Sequence, residues 1–297
     1  MSSLQRFGWF VLGWNVLTIL LGAVVRATGS GAGCGPSWPT CQGELIPELE
    51  GATLIEFSHR IVSGLALILV FALAFRVRRA FAKGEPARLG ALLAVVAIIG
   101  ESLLGAMLVL AEWVADDTST ARAIAVPLHL VNTLFLLAAL TLTVFWVSGG
   151  GRLDFRKDKS VTRAVLAGGI GLILISASGA ITALADTLFP DTPLGSDFSG
   201  DSHFLTRLRI IHPILAIASA AIGWWISDKP GEGRTWAARS LPILVGVMIL
   251  SGAVNVALGV PLWMQIVHLA LADSLWVAYV LISADALQVR ESLPVGS

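Results

Sequence analysis

The sequence predicts an all-α integral membrane protein of eight transmembrane helices, arranged as two pseudo-repeated four-helix bundles with both termini cytoplasmic. Three observations carry this expectation. Hydrophobic residues make up 56% of the 297 residues and charged residues only 13%. Apolar runs of about twenty residues, the length that spans a bilayer as a helix, recur along the whole chain. The segments between the runs alternate between basic and acidic, and none is long enough to hold a water-soluble domain.

The first run starts near Phe7, just after Arg6, and no small-residue cleavage site closes it, so it is expected to stay as a helix. It ends with Gly22-Ala23 and Arg26, and the loop that follows carries Glu44, Glu48, Glu50 and the only cysteines, Cys34 and Cys41. The second helix starts near Leu54 and runs into a loop filled by Arg76, Arg78, Arg79, Lys83 and Arg88. The third starts near Leu89, has Glu101 near its middle and Gly105-Ala106 towards its end, and is followed by Asp116 and Asp117. The fourth starts near Ala123.

A basic stretch from Gly149 to Arg163, with Arg152, Arg156, Lys157 and Lys159, divides the chain into halves 1–150 and 151–297. The fifth helix starts near Ala164, contains Gly179-Ala180, and leads to Asp186, Asp191, Asp197 and Asp201. The sixth starts near Arg207 and is followed by Lys229, Arg234 and Arg239. The seventh, near Leu241, contains Gly252-Ala253, and the eighth starts near Gln265. Basic loops stay cytoplasmic, which puts the acidic loops and both cysteines outside, where a disulfide persists.

Each odd helix thus carries a Gly-Ala pair near its outer end, and each even helix carries one histidine near its outer start: His59, His129, His212 and His268. Small residues permit close helix packing, and a polar ring in hydrocarbon is costly unless it has a task. Histidines repeated in register inside a helical bundle are how a membrane protein gives haem iron two axial ligands. Pairing by halves joins His59 with His129 and His212 with His268. His203, in an acidic outer loop, is expected to be only solvated. No close-spaced zinc motif and no phosphate-cradling glycine loop occurs, and no nucleic-acid partner is expected.

The halves differ beside the histidines. Glu56 precedes His59 by three residues and Arg209 precedes His212 by three, one turn outward on the same face. A guanidinium suits a haem propionate, so Arg209, with Arg26 and Arg207 near the same surface, is a candidate propionate contact. A carboxylate repels propionates, so Glu56 is expected at the ring edge or at a reacting position, where it could transfer protons. Asn132, one turn beyond His129, orients that histidine or bridges helices. Cys34 and Cys41 form either a structural staple or a redox-active pair.

Taken together, Gly22-Ala-Val-Val-Arg26-Ala-Thr-Gly-Ser-Gly31, Cys34-Gly-Pro-Ser-Trp-Pro-Thr-Cys41 and Glu56-Phe-Ser-His59-Arg60 resemble the signature run of the haem A synthases. The likeness extends to all eight helices and all four histidines. It implies an enzyme that oxidises a pyrrole-ring methyl of haem O, through a hydroxymethyl species, to the formyl group of haem A. It further implies that His212 and His268 ligate a permanent haem b, that His59 and His129 ligate the substrate haem, and that Glu56 is the catalytic glutamate. Two departures stand out: the loop from Asp186 to Thr206 lacks the second cysteine pair of some relatives, and Glu101 stands where relatives often have an uncharged polar residue.

Two routes fit these residues. Oxygen activation at the substrate iron needs one histidine to leave, whereas removal of electrons from the ring lets water attack the methyl carbon with Glu56 taking a proton. The expected setting is a bacterial-type plasma membrane with the haem sites toward the outer leaflet. The expected partners are haem O, a haem O synthase, an electron acceptor, membrane lipid and a second copy of the chain. Two rival readings are a di-haem b electron-transfer cytochrome and a membrane thiol oxidoreductase centred on Cys34 and Cys41.

Overall fold

Several of the helices begin at a side-chain cap, a few residues before the apolar runs. In the computed structural model, which describes residues 1–193, 195, 197, 199–227 and 236–289, with the side chains of 220–241 outside the description, α1 spans Ser3–Ala27. It opens with a capping box in which Ser2 and Gln5 bond each other's backbone N–H reciprocally. α2 spans Gly51–Ala80, α3 Pro86–Leu110, α4 Thr120–Val147 and α5 Lys159–Leu188. The Ser119 hydroxyl and the Asp158 carboxylate cap α4 and α5. Pro86 stands in the first turn of α3, where its missing N–H costs nothing. These starts lie three to five residues before the apolar runs, because a first turn, whose N–H groups have no partner within the helix, is best placed outside the hydrocarbon stretch.

The expected sixth helix is two pieces, α6 (Phe204–Leu208) and α7 (Ile211–Ser227). Pro213 causes the break: it has no N–H for the carbonyl of Arg209, and its ring crowds that carbonyl. The Thr182 hydroxyl donates to Arg209 O at 3.3 Å instead. α8 (Trp236–Ala257) and α9 (Leu262–Leu287) complete the helices among the described residues. Lys229 and Arg234, expected in the third basic loop, lie outside the described residues, as does the side chain of Arg239.

Among the described residues six helices, α1 to α5 and α9, are long and apolar enough to cross a membrane. α7 is described over 17 residues, up to Ser227, and α8 contributes the shorter apolar stretch Pro242–Ala257. Outward faces carry large apolar side chains such as Ile68, Phe75, Leu92, Ile170 and Ile217, as a lipid-facing surface requires. The chain is an all-helical, multi-pass membrane protein.

α1, α2, α3 and α4 touch in that cyclic order, and α5, α7, α8 and α9 do likewise. α2 and α4 therefore stand at opposite corners of one ring, and α7 and α9 at opposite corners of the other. The rings meet along α1, α4, α5 and α9, where Val11, Leu12, Leu137, Leu140, Trp276 and Tyr279 belong to one buried core. Ala87, Ala91, Ala94 and Ala97 form a small-residue stripe on α3, the kind of surface that lets two helix backbones approach closely. Trp276 Nε1 donates to Leu134 O at 2.8 Å, and the Tyr279 hydroxyl donates to Val165 O, tying α9 to α4 and α5. A two-stranded antiparallel tie, β1 (Arg152–Leu153) with β2 (Gln288–Val289), joins the segment between the rings to the end of α9. Nothing in the sequence pattern anticipated it.

Candidate functional site

Each of the four histidines is seated on the glycine of a Gly-Ala pair from a neighbouring helix, α1 for His59, α3 for His129, α5 for His212 and α8 for His268. A Cβ added at Gly22 would lie 3.1 Å from His59 Cε1, at Gly179 3.0 Å from His212 Cε1, and at Gly252 3.3 Å from His268 Cε1. At Gly105 it would lie 3.7 Å from His129 Nε2. Small residues make room for an imidazole that would otherwise collide with the neighbouring helix.

The ring nitrogens are unequally engaged. His268 Nδ1 lies 2.8 Å from Ser251 Oγ, and His212 Nδ1 lies 3.0 Å from Ile175 O and 3.4 Å from Ser178 Oγ. His129 Nδ1 lies 2.7 Å from Glu101 Oε2. His59 Nδ1 is buried with no hydrogen-bond partner. Among the described residues no Nε2 of the four makes a hydrogen bond, which leaves that nitrogen for a ligand. Such division of labour, with one nitrogen oriented by the protein and the other open, is how metal-binding histidines are held. His212 and His268 face each other with ring centres 6.4 Å apart and planes at 90°.

Beside His59 the loop between α1 and α2 folds onto α2. Cys34 and Cys41 form a disulfide, and both are fully buried. The backbone of Gly33 lies so close to α2 that a Cβ there would come within 2.4 Å of Ala52. Glu56, only 3% exposed, accepts the Cys34 N–H at 2.7 Å through Oε2 and the Arg60 guanidinium at 2.5 Å through Oε1. Arg60 also donates to the carbonyls of Ser37 and Thr40, both at 2.6 Å. The Glu56 carboxylate is thus held on both oxygens.

The expected propionate contacts are spread over different partners. Arg26 donates to Ala183 O, Thr187 Oγ1 and Gln265 Oε1, so it binds α1 to α5 and α9. Arg207 is exposed and donates to Ser202 Oγ and Gly200 O. Arg209, 6% exposed, pairs with Asp197 at 2.6 Å and Asp186 at 3.1 Å, while its Nε has no partner. The opposite charges expected beside the two pairs are thus each neutralised locally, Glu56 by Arg60 and Arg209 by two aspartates. His203 caps α6 and packs against Phe189 and Phe204 instead of being merely solvated. Asn132 bridges helices, donating to Ala97 O at 2.8 Å and Glu101 Oε1 at 2.6 Å.

Three residues escaped the sequence reading. Arg122, 4% exposed, donates to Ala115 O and Asp117 O and keeps a buried, unpartnered Nε. Ser178 and Ser251 hold Nδ1 of His212 and His268, and a signal for them was present: both precede the Gly-Ala pair directly, where the amino-terminal half has Leu21 and Leu104.

Comparison with known proteins adds a second line of argument. A protoheme IX farnesyltransferase of Thermus thermophilus is 47% identical over 297 aligned residues, covering 97% of this chain and 49% of the relative. A heme A synthase of Halalkalibacterium halodurans is 44% identical over 105 residues, 35% of each chain. One of Exiguobacterium sibiricum is 34% identical over 157 residues, 52% of this chain and 50% of the relative. The chain spans about half the length, or less, of these curated relatives. The model of the COX15-CtaA family, described as cytochrome oxidase assembly protein, matches residues 5–53 and 48–280, and the chain belongs to that family.

Proposed function

We propose that the chain is a haem A synthase, which oxidises the pyrrole-ring methyl of haem O through a hydroxymethyl species to the formyl group of haem A. The observation that carries this reading is the set of four glycine-seated histidines, each with Nε2 unengaged, in a chain whose relatives include heme A synthases. Imidazole–metal bonds are about 2 Å long, so two imidazoles sharing one iron have ring centres roughly 6 Å apart. His212 and His268 fit that requirement at 6.4 Å.

In this reading eight spans form two repeated halves, 1–150 and 151–297. The same cyclic helix order in both rings and the recurring glycine–histidine contact support the repeat. Both termini are cytoplasmic, as the basic loops favour, and the haem sites lie toward the outer leaflet of the cell membrane. His212 and His268 hold haem b, which when bound supplies one-electron transfer. Their Nδ1 partners are neutral hydroxyls and a carbonyl, suited to a permanent group. His59 and His129 hold the haem being modified. Arg209, through its spare Nε, is the strongest of the three expected propionate contacts, and Arg122 offers a spare Nε in the amino-terminal half.

Glu56 is the catalytic carboxylate. Fixed by Arg60 and the Cys34 N–H one turn from His59, it steadies positive charge developing beside the ring and accepts the proton released as the methyl is oxidised, the electrons passing to the electron acceptor. The Thermus relative is named for farnesyl transfer to protohaem IX, and protohaem carrying a farnesyl group is the substrate proposed here. A haem O synthase is therefore the expected partner.

The test is to express the chain in membranes supplied with haem O and identify the extracted haems by reversed-phase chromatography with mass detection. Haem A or its hydroxymethyl precursor, absent without the protein, is the expected result. Recovery of unmodified haem alone, under active supply of haem O and an electron acceptor, would leave an electron-transfer cytochrome as the better reading.

A further inference from the structure

Glu101 stands in the middle of α3, where an ionisable side chain is costly in hydrocarbon. Its carboxylate is fully employed. Oε2 lies 2.7 Å from His129 Nδ1 and 3.1 Å from Thr133 Oγ1, and Oε1 accepts Asn132 Nδ2 at 2.6 Å. Both neighbours sit one turn along α4 from His129, so the carboxylate is aimed at the histidine from α3 by two further hydrogen bonds. His59, the other member of the amino-terminal pair, has a buried Nδ1 with no partner.

Resting on the haem reading above, we infer that Glu101 is a positioning residue that makes His129 the fixed, strongly donating axial partner of the substrate haem and leaves His59 as the one that releases. A carboxylate accepting Nδ1–H fixes the tautomer and ring orientation and raises the donor strength of Nε2. A ring without such a partner has neither advantage. Of the four histidines only His129 has a charged acceptor at Nδ1; His212 and His268 have hydroxyl or carbonyl groups. The amino-terminal pair is thus built unequal. The side on which a coordination position opens is the side of His59, Glu56 and the disulfide loop, where the second reactant would arrive.

The test uses the full-length protein, purified with haem O loaded in the amino-terminal half and haem b in the carboxy-terminal half. The midpoint potential of each haem is measured in wild type, Glu101→Gln and Glu101→Leu. Loss of the anionic acceptor weakens donation to ferric iron, so the amino-terminal potential should rise in both variants while the carboxy-terminal potential stays put. Glu101→Leu, which also removes the acceptor atom, should lose about 10-fold or more in haem O affinity. On adding carbon monoxide to the reduced wild type, His59 should be displaced and the adduct should match that of His59→Ala. If wild type holds haem O but the variants keep its potential and affinity, or carbon monoxide displaces His129, the inference is overturned while the haem reading stands. If wild type takes up no haem O in that half, both fall.

Discussion

Glu56 Oε2 accepts the backbone N–H of Cys34 at 2.7 Å, so the side chain one turn from His59 also anchors the disulfide loop to α2. The partner is a main-chain donor, which means the contact does not depend on the sulfur itself. Structural and chemical roles of Glu56 are therefore separable by experiment.

Glu56→Ala should lower haem A formation by about 10²-fold or more, the range for losing a general acid or base, while the haem b spectrum of the carboxy-terminal half is unchanged. Extracted-haem chromatography and optical spectra of the same preparation check both parts. Undiminished haem A would remove Glu56 from the chemistry and leave it as a loop anchor.

Cys34→Ser with Cys41→Ser should keep the Glu56–loop contact but loosen the loop. The bond joins cysteines seven positions apart, and closing so short a ring stabilises by roughly 2 kcal/mol in the chain-entropy picture. Thermal unfolding in detergent should show that loss, with haem b content retained. Complete loss of haem b from the double variant would show that the loop supports more than its own helix.

The four glycines predict a graded series. Ala at Gly179 or Gly22 would put Cβ 3.0 or 3.1 Å from an imidazole carbon, closer than comfortable contact, whereas at Gly105 the 3.7 Å separation is ordinary packing. Overpacking of this kind costs about 1–3 kcal/mol. Gly179→Ala should therefore reduce haem b retention, and Gly105→Ala should leave haem content close to wild type. Equal effects at the two positions would mean that the glycines are not the seats of the rings.

Much of this was legible in the sequence because hydrocarbon imposes strong rules. The apolar runs located α1 to α5 and α9 to within a turn or so, and the histidine and Gly-Ala registers placed ring and seat on neighbouring helices. What escaped depends on contacts between distant segments. Glu101 and His129 belong to different helices, and periodicity does not say that their side chains meet. Asp186 and Asp197 read as outer-loop charges until the fold brought both onto Arg209. The split between α6 and α7 was available from Pro213, but hydropathy is blind to a missing N–H.

Asp273 provides the last prediction. It is 1% exposed on α9, at the seam with α1, and its Oδ2 has no hydrogen-bond partner among the described residues. Apolar neighbours surround it: Leu12, Val16 and Val277 line the same cavity, together with Trp9. An unsatisfied buried polar group costs about 1–3 kcal/mol, and more if charged. Asp273→Leu removes that penalty with a side chain of similar length, so the variant should unfold at a higher temperature than wild type. Its haem b spectrum should not change, since none of the four histidines bonds to Asp273. A lower melting temperature would mean that the carboxyl group makes a stabilising contact beyond those of the described residues.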